Sequence, residues 1–132
     1  MAALKLELAC FCGSLSARKP KEEPGLLRML DERIRRDCLK SFIELAIIAR
    51  LRNNPMNGYE ITIRLMKELD VIVSPSVVYA ALNSLERDGQ AVSKKQRRGR
   101  VYELTQNGRS TAEKIPDEIA VIQSFLKVLL RY

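Results

Sequence analysis

The sequence contains no histidine, and its three cysteines are odd in number. Histidine is the commonest general base and the commonest metal ligand among side chains, so its absence leaves few ways to build a catalytic or metal centre. Cys10, Cys12 and Cys38 form no C-x-x-C pair, which argues against a zinc site and a disulfide framework. A phosphate-binding glycine loop and a recognisable carboxylate pair are also missing. An enzyme is therefore the least favoured class, and we predict no cofactor and no metal.

Long apolar runs are missing as well. No run approaches the roughly 18 residues that a membrane-spanning helix requires. The opening segment MAALKLELACFCG is apolar, but Lys5 and Glu7 interrupt it where a secretory signal would be continuous. Reduced cysteines are typical of the cytosol. These features predict a cytoplasmic protein without membrane attachment.

The composition of the 132 residues, 46% apolar and 30% charged, is that of one soluble globular domain with a single core. The formal net charge is +7. A basic balance favours polyanionic partners, either nucleic acid or an acidic membrane surface, but many ordinary proteins share it. The position of the charge along the chain is more informative than its sum.

The chain divides into three zones. Residues 1–24 include the loop-like segment SARKPKEEPG, and we expect a poorly ordered tail to which we assign no function. Residues 25–104 carry alternating helix and strand patterns. Residues 105–132 are helical, with a break predicted at Pro116. The fold class that follows is mainly α with a small β-hairpin.

The pattern begins with helical periodicity over 26–53, either one helix or two that merge, ended by Pro55. A stripe at three-to-four spacing, apolar except for its last member, marks one face of it: Leu39, Phe42, Ile43, Ala46, Ile47 and Arg50. A second helix is predicted over 58–69, and the β-branched triplet at 71–73 suggests a short strand. Ser74 and Pro75 form a strong helix start, and that third helix ends at Gly89. Two strands over 90–96 and 101–104 then read as a hairpin with glycine in its tip. Helix–turn–helix followed by a hairpin is the arrangement of a winged helix.

The third helix has two different faces. Spacing predicts a core face of apolar residues, namely Val77, Val78, Ala81, Leu82 and Leu85. The opposite face carries short polar groups and one aromatic ring, namely Ser76, Tyr79, Ala80, Asn83 and Arg87. A tyrosine hydroxyl suits a phosphate contact and an asparagine can pair with an adenine edge. A merely solvated helix face explains this helix, taken alone, equally well.

The predicted hairpin shifts that balance. Five cations and no acid lie between positions 93 and 100, namely Lys94, Lys95, Arg97, Arg98 and Arg100. Such a concentration of like charge is costly unless a polyanion neutralises it. Because the block falls where a wing belongs, we predict DNA contacts from these residues together with Ser74 and the outward face of the third helix.

The last helix carries an apolar seam. Ile115, Ile119, Ile122, Leu126 and Leu129 step by 4, 3, 4 and 3 residues, as in a coiled coil, with Val121, Phe125 and Val128 beside them. One small domain cannot bury both lines on one flank. We therefore predict a homodimer through Ile119, Ile122, Phe125, Leu126 and Leu129. One broad intramolecular face remains the alternative.

Several short motifs resemble the PadR family of winged-helix regulators. Residues 57–61, NGYEI, resemble the family's HGYEI, and residues 74–82, SPSVVYAAL, resemble its SPGSLYPAL segment. Residues 85–89, LERDG, and 100–109, RVYELTQNGR, resemble the end of its recognition helix and the exit of its wing. The four motifs stand in the family's order. The departures at Val77, Ala80 and Ala91 prevent any transfer of base preference.

The resemblance implies a dimeric, mostly repressing DNA-binding protein whose C-terminal helix forms the dimer. It also implies structural roles for Gly58, Tyr59 and Tyr102, and a possible small-molecule effector of unknown identity at the dimer interface. Three hypotheses stay open at this point. They are a site-specific repressor, an architectural protein that binds DNA by charge alone, and a winged helix that contacts an acidic protein.

Overall fold

A computed structural model describes residues 25–97 and 99–131 of the chain. The described residues form four helices and a small three-stranded antiparallel sheet. The helices are α1 (Gly25–Leu51), α2 (Gly58–Leu69), α3 (Pro75–Arg87) and α4 (Gln106–Leu129). The strands are β1 (Met56–Asn57), β2 (Ala91–Gln96) and β3 (Gly99–Leu104), in the sheet order β1-β3-β2. This confirms the mainly helical winged-helix prediction. The tail proposed for residues 1–24 lies outside the described residues.

α1 is one helix with a kink at Phe42, whose backbone departs from helical values at φ −116° and ψ 16°. The kink interrupts the predicted apolar periodicity. Leu39, Ile43 and Ile47 are buried as predicted, but Phe42 is turned partly outward and is 37% exposed. Arg50, the polar member of the predicted stripe, bonds to Glu68 of α2 and so ties the two helices together.

α2 begins with a reciprocal capping box. The Glu60 backbone N–H donates to Asn57 Oδ1 at 2.7 Å, and the Asn57 N–H donates to Glu60 Oε2 at 3.2 Å. Two otherwise unsatisfied donors are bonded in this way. Asn57 also belongs to β1, which pairs with β3 through Met56 opposite Tyr102. Asn57 therefore caps α2, the first helix of the helix–turn–helix, and also connects it to strand β3 of the wing.

The prediction of a strand at Val71–Val73 is wrong, because these residues have no regular secondary structure. A β-branched triplet favours an extended backbone, but a strand also needs a neighbour to pair with, and β1 occupies the free edge of β3 instead. Val73 is nonetheless buried in the core, whereas Ile72 is exposed.

α4 runs without a break through Pro116, contrary to the prediction that it is interrupted there. Proline removes one backbone hydrogen bond from a helix. Ile115 packs against the core and Ile119 lies beside α1, so packing on both sides of the proline supports the continuous helix.

The start of α4 is fastened to the base of the wing. Thr105 caps the helix by accepting from the Gly108 N–H, and its hydroxyl donates to Gly89 O at 2.6 Å. Gly108 lies so close to the Gln90 carbonyl that a Cβ there would come within 2.0 Å of the oxygen. Only glycine fits this contact without a shift of the backbone.

One hydrophobic core unites the helices and the sheet. Its most deeply buried members come from the first three helices, namely Ile47, Ile48, Ile61, Leu65, Val78, Leu82 and Leu85. Ala91, Tyr102 and Leu104 add the inner face of the sheet, and Ala112 adds the first turns of α4. No residue of α4 after Ala112 is buried within the described part of the chain. The second half of α4 lies alongside α1 and remains partly exposed.

Candidate nucleic-acid interface

α3 presents its predicted polar face to solvent. Ser76, Tyr79, Ala80, Asn83 and Arg87 are all exposed, and Val78, Ala81, Leu82 and Leu85 are buried beneath them. This confirms the orientation of the helix, and the DNA contacts of these residues stay a prediction. The assignment of Val77 to the core face is wrong, because this residue is 37% exposed. It stands in the first helical turn, at the edge of the stripe, where the core no longer covers it.

The two serines at the start of α3 bond to each other. Ser74 occupies the predicted N-cap position, but its side chain makes no capping hydrogen bond. Its Oγ lies 2.7 Å from Ser76 Oγ instead. Both serines are exposed, so both hydroxyls are accessible to an anion at the N-terminus of α3, the end of the helix with a partial positive charge.

Tyr79 packs against the start of α2. A Cβ built on Gly58 would come within 2.5 Å of the Tyr79 ring, so the missing side chain of the glycine makes room for the aromatic. Gly58 is buried and Tyr79 remains 42% exposed. The ring is thus supported by α2 while part of it stays accessible to solvent. The structural role that the resemblance implies for Gly58 agrees with this contact, whereas Tyr59 is exposed at 69%.

The register of the hairpin separates its cations into two sets. Lys95 pairs with Arg100, and the positions next inward on the same face, Ser93 and Tyr102, lead to the buried pair Ala91 and Leu104. Side chains two residues apart share a face of a strand. Lys95 and Arg100 therefore extend the core-facing side of the sheet beyond the core. This is the side on which β2 packs against α3.

Lys94 lies on the opposite face of the hairpin. Its Nζ is 2.6 Å from Glu103 Oε1, so one of the predicted wing charges is already paired within the protein. Sequence reasoning missed this pair because Glu103 lies on the other strand, outside the basic block. Arg97 is exposed at the tip of the hairpin, directly after the end of β2. Arg98 lies outside the described residues.

A buried tyrosine supports the junction of wing and helix. Tyr102 is only 2% exposed and packs between β1 and the core. Burial, and next the negative charge of Glu86 on α3, raise the pKa of its phenol above the usual 10.0, while the guanidinium of Arg100 acts in the opposite direction. The structural role implied for Tyr102 agrees with this position.

The predicted dimer residues divide between two surfaces. Ile119 and Ile122 are half-buried and, with Leu126, face α1 across an apolar groove of about 340 Å³ lined on the other side by Phe42, Leu45 and Ala46. Phe125 and Leu129 do not line this groove and are exposed at 63% and 61%. The dimer contact of these residues stays a prediction.

Two further observations bear on function. No helix within residues 25–97 and 99–131 is long and apolar enough to cross a bilayer. The same residues contain no cluster of three or more cysteine, aspartate or glutamate side chains placed to hold a metal ion.

Comparison with known proteins points to a single family. The PadR-like family of transcriptional regulators matches residues 47–114, which is just over half of the 132-residue chain and includes α2, α3 and the hairpin. No curated protein sequence matches the chain.

Solved structures share the fold at low sequence identity. One is a transcriptional regulator from Clostridium thermocellum, with a TM-score of 0.62 and 20% identity over 69% of this chain and 92% of that one. A PadR family regulator from Clostridium difficile has a TM-score of 0.56 and 24% identity over 67% and 98% of the two chains. Another from Eggerthella lenta has a TM-score of 0.60 and 16% identity over 80% and 92%.

Proposed function

Because the chain belongs to the PadR-like family of transcriptional regulators, we propose that it is a dimeric, sequence-specific DNA-binding repressor. The observation that carries the proposal is the placement of a polar helix face beside an exposed cationic hairpin. α3 offers Ser76, Tyr79 and Asn83, and the wing offers Lys95, Arg97 and Arg100. Helices of this kind enter the major groove, and wings contact the backbone or the minor groove. The proposed role places the protein in the cytoplasm and requires no cofactor.

The two sets of residues serve different purposes in this proposal. Wing cations neutralise phosphates, which contributes affinity without base information. Asn83 reads an adenine edge, and Tyr79, fixed against Gly58, positions the helix on the backbone. Ser74 and Ser76 add phosphate contacts at the helix start, and Arg87 adds one at the helix end.

The exposed apolar surface of α4 supports the proposal of a dimer. Phe125, Leu126 and Leu129 are exposed in the second half of the helix, at or next to the groove formed with α1. A second copy of α4 that enters this groove would cover both the groove and the exposed apolar side chains beside it. In this arrangement residues 25–104 form the DNA-binding unit and residues 105–132 carry the dimer contact. The first turns of α4 remain part of the domain core. A small-molecule effector would act by remodelling the same groove.

Selection from a random duplex library tests the proposal. The selected duplex and a scrambled duplex of equal composition are titrated at one fixed salt concentration. We expect the selected duplex to bind more tightly by at least roughly a thousandfold, as specific regulators do. Equal binding of both duplexes would favour the architectural protein. No binding of either would favour the protein-contact role.

Repression is tested separately by transcription in vitro. The selected site is placed over a promoter, and a scrambled site serves as the control template. We expect the dimer to lower transcription from the first template alone. An increase would make the protein an activator.

A further inference from the structure

The outward face of α3 contains an apolar strip that the polar contacts do not use. Val77 is 37% exposed and Ala80 is exposed, whereas their neighbour Val78 is completely buried. A lone exposed valine needs no explanation on an ordinary surface. This pair differs because Ser76 and Asn83 flank it on the helix that the proposed function places in the groove.

Val77, Ala80 and Asn83 form one ridge. Residues three apart on a helix are neighbours on its surface and are separated by about 4.5 Å along the axis. Successive base pairs are about 3.4 Å apart. Neighbouring side chains on the ridge therefore come opposite neighbouring base pairs when the helix lies along the groove.

The chemistry of the ridge restricts what it can recognise. Valine and alanine side chains can neither donate nor accept a hydrogen bond. The first cation on the outward face is Arg87, at the far end of the helix, so the start of α3 has no arginine or lysine to bind guanine. In the major groove, the only methyl group that any of the four base pairs presents is the C5-methyl of thymine, which is the largest apolar group there.

We propose that Val77 and Ala80 contact thymine methyl groups, so that each half-site carries thymine beside the adenine bound by Asn83. This inference rests on the proposed function and adds its base preference. An A·T-rich segment would satisfy the whole ridge, because adenine supplies the edge for Asn83 and thymine supplies the methyl groups for the other two residues.

The test removes single methyl groups from the DNA. In the selected duplex each thymine is replaced, one at a time, by deoxyuridine, which pairs identically but lacks the C5-methyl. Burial of one methyl contributes about 0.8 kcal/mol, or about fourfold in affinity. We expect one or two positions per half-site at which deoxyuridine weakens binding of the wild-type protein by about fourfold.

Protein variants assign the effect to residues. Val77→Ser and Ala80→Ser should each make binding insensitive to deoxyuridine at one of those positions. Val92→Ser is the matched control, because Val92 is similarly exposed at 42% but lies on β2. The Val92→Ser variant should still bind about fourfold more weakly when deoxyuridine replaces thymine at those positions. Far-UV circular dichroism of each variant checks that α3 remains folded.

Two results would overturn the inference. One is a selected duplex that beats the scrambled one but binds equally well with every thymine replaced, which leaves the proposed function intact. The other is a deoxyuridine effect that persists unchanged in both serine variants of α3, which would assign the methyl contact to a different residue. If no duplex is preferred over the scrambled one, the proposed function fails and this inference fails with it.

Discussion

The proposed DNA-binding surface, formed by α3 and the wing, and the second half of α4 are both exposed, but they expose opposite chemistry. Around α3 and the wing, polar and cationic side chains cover a layer in which Val78 and Leu82 are fully buried. On α4, large apolar side chains reach solvent directly, including Phe125 at 63% and Val128 at 79%. A cationic surface is neutralised by a polyanion, and an apolar surface is stabilised by an apolar partner. The comparison therefore indicates two different partners for two separate ends of the domain.

The largest effect is expected at the apolar end. Phe125→Lys combined with Leu129→Lys places four charges in the proposed dimer contact. It removes apolar contacts that each contribute roughly 1.5–3 kcal/mol, so the dimer should weaken by more than about a thousandfold. Sedimentation velocity should then show monomers. These residues are preferable to Ile122, whose half-buried position beside α1 would confuse dimer loss with unfolding.

A charge-matched control keeps that result specific. Ile72→Lys combined with Val92→Lys adds the same charge at apolar residues exposed at 87% and 42%, away from α4. This variant should remain dimeric. If the α4 variant also stays dimeric, the exposed apolar side chains of α4 do not form the dimer contact.

The next effect is expected at the wing. Changing Lys95, Arg97 and Arg100 together to alanine should weaken binding to every duplex by more than about a hundredfold, because bonds to charged groups contribute roughly 1.5–3 kcal/mol each. The slope of affinity against salt should fall by roughly 2.7 if all three contact phosphates. Fluorescence titration at several salt concentrations measures both quantities.

Two neighbouring lysines sharpen the wing prediction. Lys95→Ala should flatten the salt slope, whereas Lys94→Ala should change it little, because Lys94 faces the other side and is paired with Glu103. Equal effects of the two substitutions would show that the whole hairpin, and not one face of it, meets the DNA.

A smaller and more selective effect is expected from α3. Asn83→Ala should cost roughly 1–3 kcal/mol on the selected duplex and little on a scrambled one, because a bidentate base contact discriminates by about that amount. Tyr79→Phe should weaken both duplexes alike, since phosphate contacts carry no sequence information. Equal losses on both duplexes for Asn83→Ala would rule out base reading at that position.

The smallest effect concerns the support under the DNA-facing surface. The raised pKa of Tyr102 means that the folded state favours the neutral phenol. Its contribution to stability is therefore complete below about pH 10 and is lost as the pH rises through the raised value. Urea unfolding across this range should show a flatter pH dependence for Tyr102→Phe than for the wild type.

The sequence was most informative where one local rule decided the structure. The Ser74–Pro75 start and the 3.6-residue period placed α3 and most of its faces correctly, and the glycine among basic residues located the hairpin. Val77 was placed wrongly because periodicity alone does not show where a core ends along a helix.

Features that depend on distant parts of the chain were missed. The Lys94–Glu103 pair needs the hairpin register, and the accommodation of Tyr79 by Gly58 needs the packing of α3 on α2. The choice of Met56–Asn57 over Val71–Val73 as the extra strand depends on which segment reaches the edge of β3. The continuity of α4 through Pro116 likewise depends on packing against the core and α1. The kink at Phe42 fits one of the predicted alternatives for α1, two helices that merge.

The two-residue strand β1 also has a consequence for the order of folding. β2 and β3 are joined by a short connection, and such hairpins close in roughly 1–10 μs. Met56 must instead find Tyr102 across a long stretch of chain, and closing a long loop costs entropy before the pairing stabilises it. We therefore expect β1 to join the sheet after the hairpin and after α2 and α3 have packed. In native-state hydrogen exchange, the amides that pair β1 with β3 should open at lower free energy than those that pair β2 with β3.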